Sequence, residues 1–105
     1  MIRITFHERE ATLCGFTIKG HAGAGVAGQD IVCAAVSSAA YLVANTLTEI
    51  CRCGATAEAD EGFMRVTVKE PDKCADLLAG LQLHFSQLRQ QYPDRITICT
   101  EIMEV

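Results

Sequence analysis

The sequence predicts an α+β fold: a two-layer sandwich in ββαββαβ order, with two helices on one face of a mixed or antiparallel sheet. Three observations predict it. Short stretches near both ends and in the middle alternate apolar and polar residues, the period of a half-buried strand. Two longer stretches are helical in pattern, one with apolar residues at spacings of three and four and one apolar around most of its circumference. The chain has 105 residues, one domain's length, enough for one sizeable core but not two. Helices packed on one face of a sheet satisfy this element order best.

The elements follow in turn. Ile2, Ile4 and Phe6 alternate with polar neighbours and give a first strand, after which His7 to Glu10 reads as a polar turn. Leu13 to Lys19 is a second strand with Cys14, Phe16 and Ile18 on one face. Gly20 to Gln29 is a glycine-rich loop. Asp30 opens a long helix to about Cys51, apolar at Ile31, Val32, Ala35, Val36, Ala39, Leu42, Val43, Leu47 and Ile50, and therefore expected to be central and well buried. Gly54 stops it. Thr56 to Asp60 and Met64 to Lys69 read as a hairpin around Glu61-Gly62, with Met64, Val66 and Val68 inward. Pro71 and Asp72 open a second helix, striped by Leu77, Leu78, Leu81, Phe85, Leu88 and Tyr92 and ended by Pro93. Ile96, Ile98 and Ile102 belong to a last strand. All 105 residues are expected to form this single domain.

Composition narrows the function. Half the residues are apolar and 21% are charged, an ordinary globular balance. The net charge is −4 and the pI near 5.2, which argues against direct nucleic-acid binding through clustered Lys and Arg. The N-terminus has no signal-peptide or lipidation pattern. The apolar run from Ile31 to Ala44 is short and Ser-interrupted for a bilayer span, so no membrane partner is expected. The expected compartment is the cytosol, where six cysteines are read as thiols rather than disulfides. Cys51-Arg52-Cys53 is a C-x-C pair with no second pair at zinc spacing, and the three histidines are scattered, so neither metal nor cofactor is expected.

The chemistry concentrates between Gly20 and Ser37. A His follows the second strand, and a Cys sits in the first turn of the helix. With Asp30 as N-cap, Cys33 is the third helical residue. N–H groups in that turn lack intrahelical partners and carry partial positive charge. They lower the pKa of a thiol from roughly 8.5, and a nearby imidazole lowers it further. The same donors suit an oxyanion formed when the thiolate attacks a carbonyl. His21 is the candidate base, separated from Cys33 by eleven intervening residues in a loop containing Gly23, Gly25 and Gly28. Such a loop closes at little entropic cost and can arch over a cleft. Plainer roles compete: Cys33 as a core residue, His21 as a turn residue, Asp30 as helix cap, and Ser37, one turn on from Cys33, bonded to a helical carbonyl rather than to substrate.

Gly23 to Gly28 also matches G-x-G-x-x-G. The dinucleotide reading needs a βαβ unit and an acidic residue closing the next strand. Here the preceding strand belongs to a hairpin, and Glu49 lies within the helix. No G-K-[ST] accompanies the glycines.

The pair Gly20-His21-Ala22-Gly23 and Gly28-Gln29-Asp30-Ile31-Val32-Cys33-Ala34-Ala35-Val36-Ser37 resembles the signature of Prp, the bacterial ribosomal-processing cysteine protease family. The resemblance implies removal of a short N-terminal extension from large-subunit ribosomal protein number twenty-seven, by a Cys/His dyad in a homodimer. It places the dyad on His21 and Cys33 and the family's Asp and Ser on Asp30 and Ser37. It also implies a mobile, substrate-shaping loop, which here holds Gly20, Gly23, Gly25 and Gly28. The chain departs from many relatives at Ala24, Val26 and Ala27, where they carry aromatic and acidic residues.

Two other functions fit some of these features. One is a non-catalytic ribosome-associated binding module that keeps the motif for folding. The other is a thiol-redox protein, though no resolving Cys lies at C-x-x-C spacing from Cys33.

Overall fold

The computed structural model describes residues 1–20 and 31–104. The strands are β1 (Ile2–Arg9), β2 (Thr12–Lys19), β3 (Ala55–Asp60), β4 (Phe63–Val68) and β5 (Ile96–Ile102), and the helices α1 (Ile31–Glu49) and α2 (Ala75–Gln91). The strands form one sheet in the order β3-β4-β2-β1-β5. The β1/β5 pair is parallel and the other three pairs are antiparallel, so the sheet is mixed. The expected ββαββαβ order and two-layer α+β class hold.

Register explains why one face is apolar. Ile4 stands opposite Ile18 on β2 and Ile98 on β5, and Phe16 lies between Phe6 and Val66. Side chains alternate along a strand, so these cross-strand rows share one face. Both helices bury their stripes against it in a single core cluster. Phe6, Phe16 and Phe85 are fully buried; Phe6 lies 6.1 Å from Phe16 and 6.2 Å from Phe85, between centroids, so a tilted aromatic series joins the sheet to α2.

Several expectations change. Residues His7 to Arg9 continue β1, and the chain turns at Glu10 and Ala11, both at positive φ, as a tight hairpin requires. The register slips between His7 and Glu8, which pair with Gly15 and Leu13 and leave Cys14 as the extra residue of a bulge. Cys14 is buried but falls outside the core cluster that holds Phe16 and Ile18; Leu13 packs against that cluster instead. Pro71 to Lys73 form a separate 3-10 turn before α2.

The largest change concerns α1. It buries only Val32, Val36, Ala40, Val43, Ala44 and Leu47, while Ile31 and Leu42 are 65% and 68% exposed. A helix in the outer of two layers has one neighbour layer, so apolar residues around its circumference cannot all be covered. At 19 residues α1 is also long and apolar enough by length and composition to cross a membrane, although the expectation from Ile31 to Ala44 is of a run too short. Here its buried stripe lies on the sheet.

Candidate active site

Cys33 is the third residue of α1 (Ile31–Glu49). It is half-buried and packs against the core with one side. With the other it lines a mainly apolar cavity of about 110 Å³ between α1 and the inner face of the sheet. Ser37 and Tyr41 line the same cavity. The spacings 33, 37 and 41 place all three along one helix face. Ile2, Ile18 and Met64 form the floor, and Gly20, Gly62 and Phe63 form the rim.

The rim is held by the backbone. The N–H of Gly20 donates to the carbonyl of Gly62 at 2.9 Å, which ties the end of β2 to the β3–β4 turn. Gly20 sits at φ +91, and a Cβ there would lie 2.5 Å from the Met1 carbonyl oxygen. Gly62 makes the β3–β4 turn at φ +68. Both positions favour glycine for conformational reasons. The cleft is therefore assembled from the N-terminus, the end of β2, the start of α1 and one hairpin.

Of the sequence-predicted residues, Cys33, Ser37 and Gly20 line one cavity. His21, Gly23, Gly25, Gly28 and Asp30 lie outside the described residues. Tyr41 and Phe63 are not singled out by the sequence, and Met64 is expected only as an inward-facing strand residue, not as part of the site. Tyr41 was accessible by extending the Cys33–Ser37 spacing one more turn. Gly62 and Phe63 come from a hairpin whose position depends on β2/β4 register, which no local pattern specifies.

The thiols away from this cavity sit in different settings. Burial pushes the Cys14 thiol up. Burial, a side-chain hydrogen bond with Cys53 and the nearness of Cys53 and Cys51 push Cys74 up to about 12. The Cys53 thiol also donates to the Leu47 carbonyl at 3.5 Å. Cys51, Cys53 and Cys74 thus gather where α1 ends and α2 begins, with Cys53 and Cys74 in the core. Among the described residues no group of three or more His, Cys, Asp or Glu side chains is placed to hold a metal ion.

A cysteine near the start of a helix, opening on an apolar cleft at the edge of an α+β sandwich, is an arrangement that a thiol-dependent hydrolase can use. The family model described as cysteine protease Prp matches residues 1–97, and the chain belongs to this family of cysteine proteases. Solved structures agree in fold. SMU.848 from Streptococcus mutans is 29% identical, with 98% of this chain and 96% of that chain covered and a TM-score of 0.81. The essential ribosomal processing protease Prp from S. aureus, in complex with a covalently linked product peptide, gives a TM-score of 0.87 at 19% identity, covering 96% of this chain and all of the other. The same protease with a substrate peptide gives 0.82 at 18% identity, with the same coverage of each chain. No curated protein matches the chain.

Proposed function

We propose that this protease removes the N-terminal extension of bacterial large-subunit ribosomal protein number twenty-seven, with Cys33 as nucleophile and His21 as base. The observation that carries the reading is the position of Cys33. It stands in the first turn of α1 and lines an apolar cavity together with Gly20, the residue immediately before His21 in the chain. The S. aureus protease holds substrate and product peptides on the same fold, which supports a peptide as the occupant of this cleft.

The chemistry follows from the groups named. His21 takes the Cys33 proton, and the thiolate attacks the scissile carbonyl carbon. Negative charge develops on the carbonyl oxygen, where N–H groups at the start of α1 are suited to stabilise it. The C–N bond then breaks, and the imidazolium protonates the departing amine. A thioester on Cys33 remains. Water, deprotonated by His21, attacks it and releases the carboxylic acid and the thiol. Asp30 orients His21 or caps α1, and Ser37, one turn beyond Cys33, bonds to the substrate. The floor of Ile2, Ile18 and Met64 selects an apolar segment. The enzyme works in the cytosol as a homodimer without a cofactor; the exposed Leu42 and Leu83 of the helical layer suit a contact between copies.

The test joins labelling to cleavage. Iodoacetamide near neutral pH should alkylate Cys33 well before the other five cysteines. Cys33→Ala should bind an extension peptide and leave it uncut, and His21→Ala should slow both labelling and cleavage. Cleavage retained by Cys33→Ala would place the nucleophile elsewhere. Tolerance of both changes would favour the binding-module reading.

A further inference from the structure

The net charge of −4 conceals how the cations are distributed in space. Arg3, Lys19 and Arg65, from β1, β2 and β4, lie on the sheet face that carries no helix. With Thr5, Thr17 and His7 they line a shallow depression of about 350 Å³, and Glu101 on β5 closes one side. Arg3 stands directly opposite Lys19 in the β1/β2 ladder. Like charges in that position destabilise a sheet. Arg65 pairs with Thr17, one diagonal step from Lys19.

Among the described residues none of these three cations forms an ion pair; the pairs found are His7–Glu101 and Lys73–Glu70. Arg65 is the informative case. Glu58 is its register partner on β3, yet the guanidinium lies over the Phe63 ring, 5.4 Å from the centroid. The carboxylates of this face, Glu58, Asp60 and Glu101, belong to the edge strands β3 and β5, and the central strands carry the cations.

We propose that this open face binds the backbone of single-stranded RNA, with Arg3, Lys19 and Arg65 neutralising phosphates and the Arg65–Phe63 stack receiving a base. A phosphate beside Arg3 and Lys19 relieves their repulsion, with the two side chains supplying its charge-assisted donors. Single strands are held by just this combination of backbone cations with aromatic or guanidinium stacking surfaces. An acidic peptide would meet the same charges but has no use for the stacking surface. The acidic total that argued against nucleic acid is a sum over the chain, and strand order separates its terms. Phe63 also borders the cleft, but the three cations lie on the opposite face of the sheet, so the inference does not rest on the proteolytic reading.

The test is fluorescence anisotropy with a labelled single-stranded RNA of about ten nucleotides, titrated at several salt concentrations. Three phosphate contacts at roughly 0.7 each give a log–log salt slope of about −2 for wild type. Arg3→Glu with Lys19→Glu should weaken binding at least about tenfold and flatten the slope. Arg65→Ala should lower the slope by about 0.7. Arg89→Glu, on α2, and Cys33→Ala should bind as wild type does. Arg3→Glu alone creates an opposite-charge pair with Lys19, so it keeps the fold if the double variant does not. The proposal is overturned by absence of binding at low salt, or by binding that Arg3→Glu and Arg65→Ala leave unchanged. Equal binding of polyglutamate would overturn it in favour of an acidic peptide. A change of oligomeric mass in Arg3→Glu would overturn it in favour of a contact between copies.

Discussion

Replacing Gly20 by alanine tests whether the cleft rim depends on one backbone conformation. Gly20 lies at φ +91, outside the range that L-residues adopt readily. Holding alanine in the left-handed region costs about 1–2 kcal/mol. Its Cβ would also sit 2.5 Å from the Met1 carbonyl oxygen, about an ångström inside normal contact. Relieving such overpacking costs a further ~1–3 kcal/mol. The sum is about 2–5 kcal/mol, which for a domain of this size lowers Tm by something on the order of 10–20 °C. Relief by movement would lengthen the Gly20–Gly62 hydrogen bond and separate the two sides of the rim, so cleavage should fall even where the variant is folded. Urea unfolding followed by circular dichroism gives the stability, and peptide cleavage at low temperature gives the activity. Gly15→Ala is the comparison: its Cβ would meet the Val66 carbonyl, away from the cleft, so it should lose stability with less effect on cleavage per folded molecule. A Gly20→Ala protein within about 0.5 kcal/mol of wild type and fully active would refute the reasoning.

Other outcomes follow from the same packing. Phe85→Ala removes a fully buried ring that contacts Phe6 and should cost about 3–5 kcal/mol, read from the urea midpoint. Gly80→Ala should act in the opposite direction: a Cβ on this face of α2 meets nothing within 4 Å, so a gain of up to about 1 kcal/mol is expected from helix propensity. His7 introduces pH dependence. Burial lowers its pKa first; Glu101 opposes the shift and Arg65 adds to it. The unfolded chain therefore takes up a proton at a higher pH than the native protein does. Stability is intact above the ordinary histidine pKa of about 6.5 and declines as pH falls below it, towards the lowered native value. Urea midpoints between about pH 7 and about pH 5 should fall less steeply in His7→Gln, and parallel slopes would remove His7 as the cause.

Much of the fold was legible because the relevant signals are local. The alternation of Ile2, Ile4 and Phe6 and of Met64, Val66 and Val68 reports one buried face whichever strands pair. The stripe through Leu78, Leu81, Phe85 and Leu88 marks the buried side of α2. The mistaken readings came from features that depend on neighbours. The apolar run of α1 suggested a central, well-buried helix, but a two-layer sandwich covers one side of it. The polar residues His7 to Glu10 suggested a turn; Glu10 does make it, with Ala11, but His7 to Arg9 continue β1. The strict period of β2 put Cys14 beside Phe16, but the bulge opposite His7 and Glu8 removes it from the core cluster.

The candidate site divides the same way. Cys33 and Ser37 are one helical turn apart, so their shared face was readable from spacing. Gly62, Phe63 and Met64 lie beyond α1 in the chain and reach the cleft only because β4 pairs with β2.

Sequence alone determined the strand and helix order, the place of Cys33 in the first turn of α1, and the family. Each depends on residue type at short spacing, which backbone periodicity turns directly into geometry. Tertiary structure decided the mixed sheet order, the partial exposure of α1, the walls of the cleft and the gathering of Arg3, Lys19 and Arg65 on one face. Those depend on which strands pair and in what register, and pairing is settled by the summed packing of the whole core.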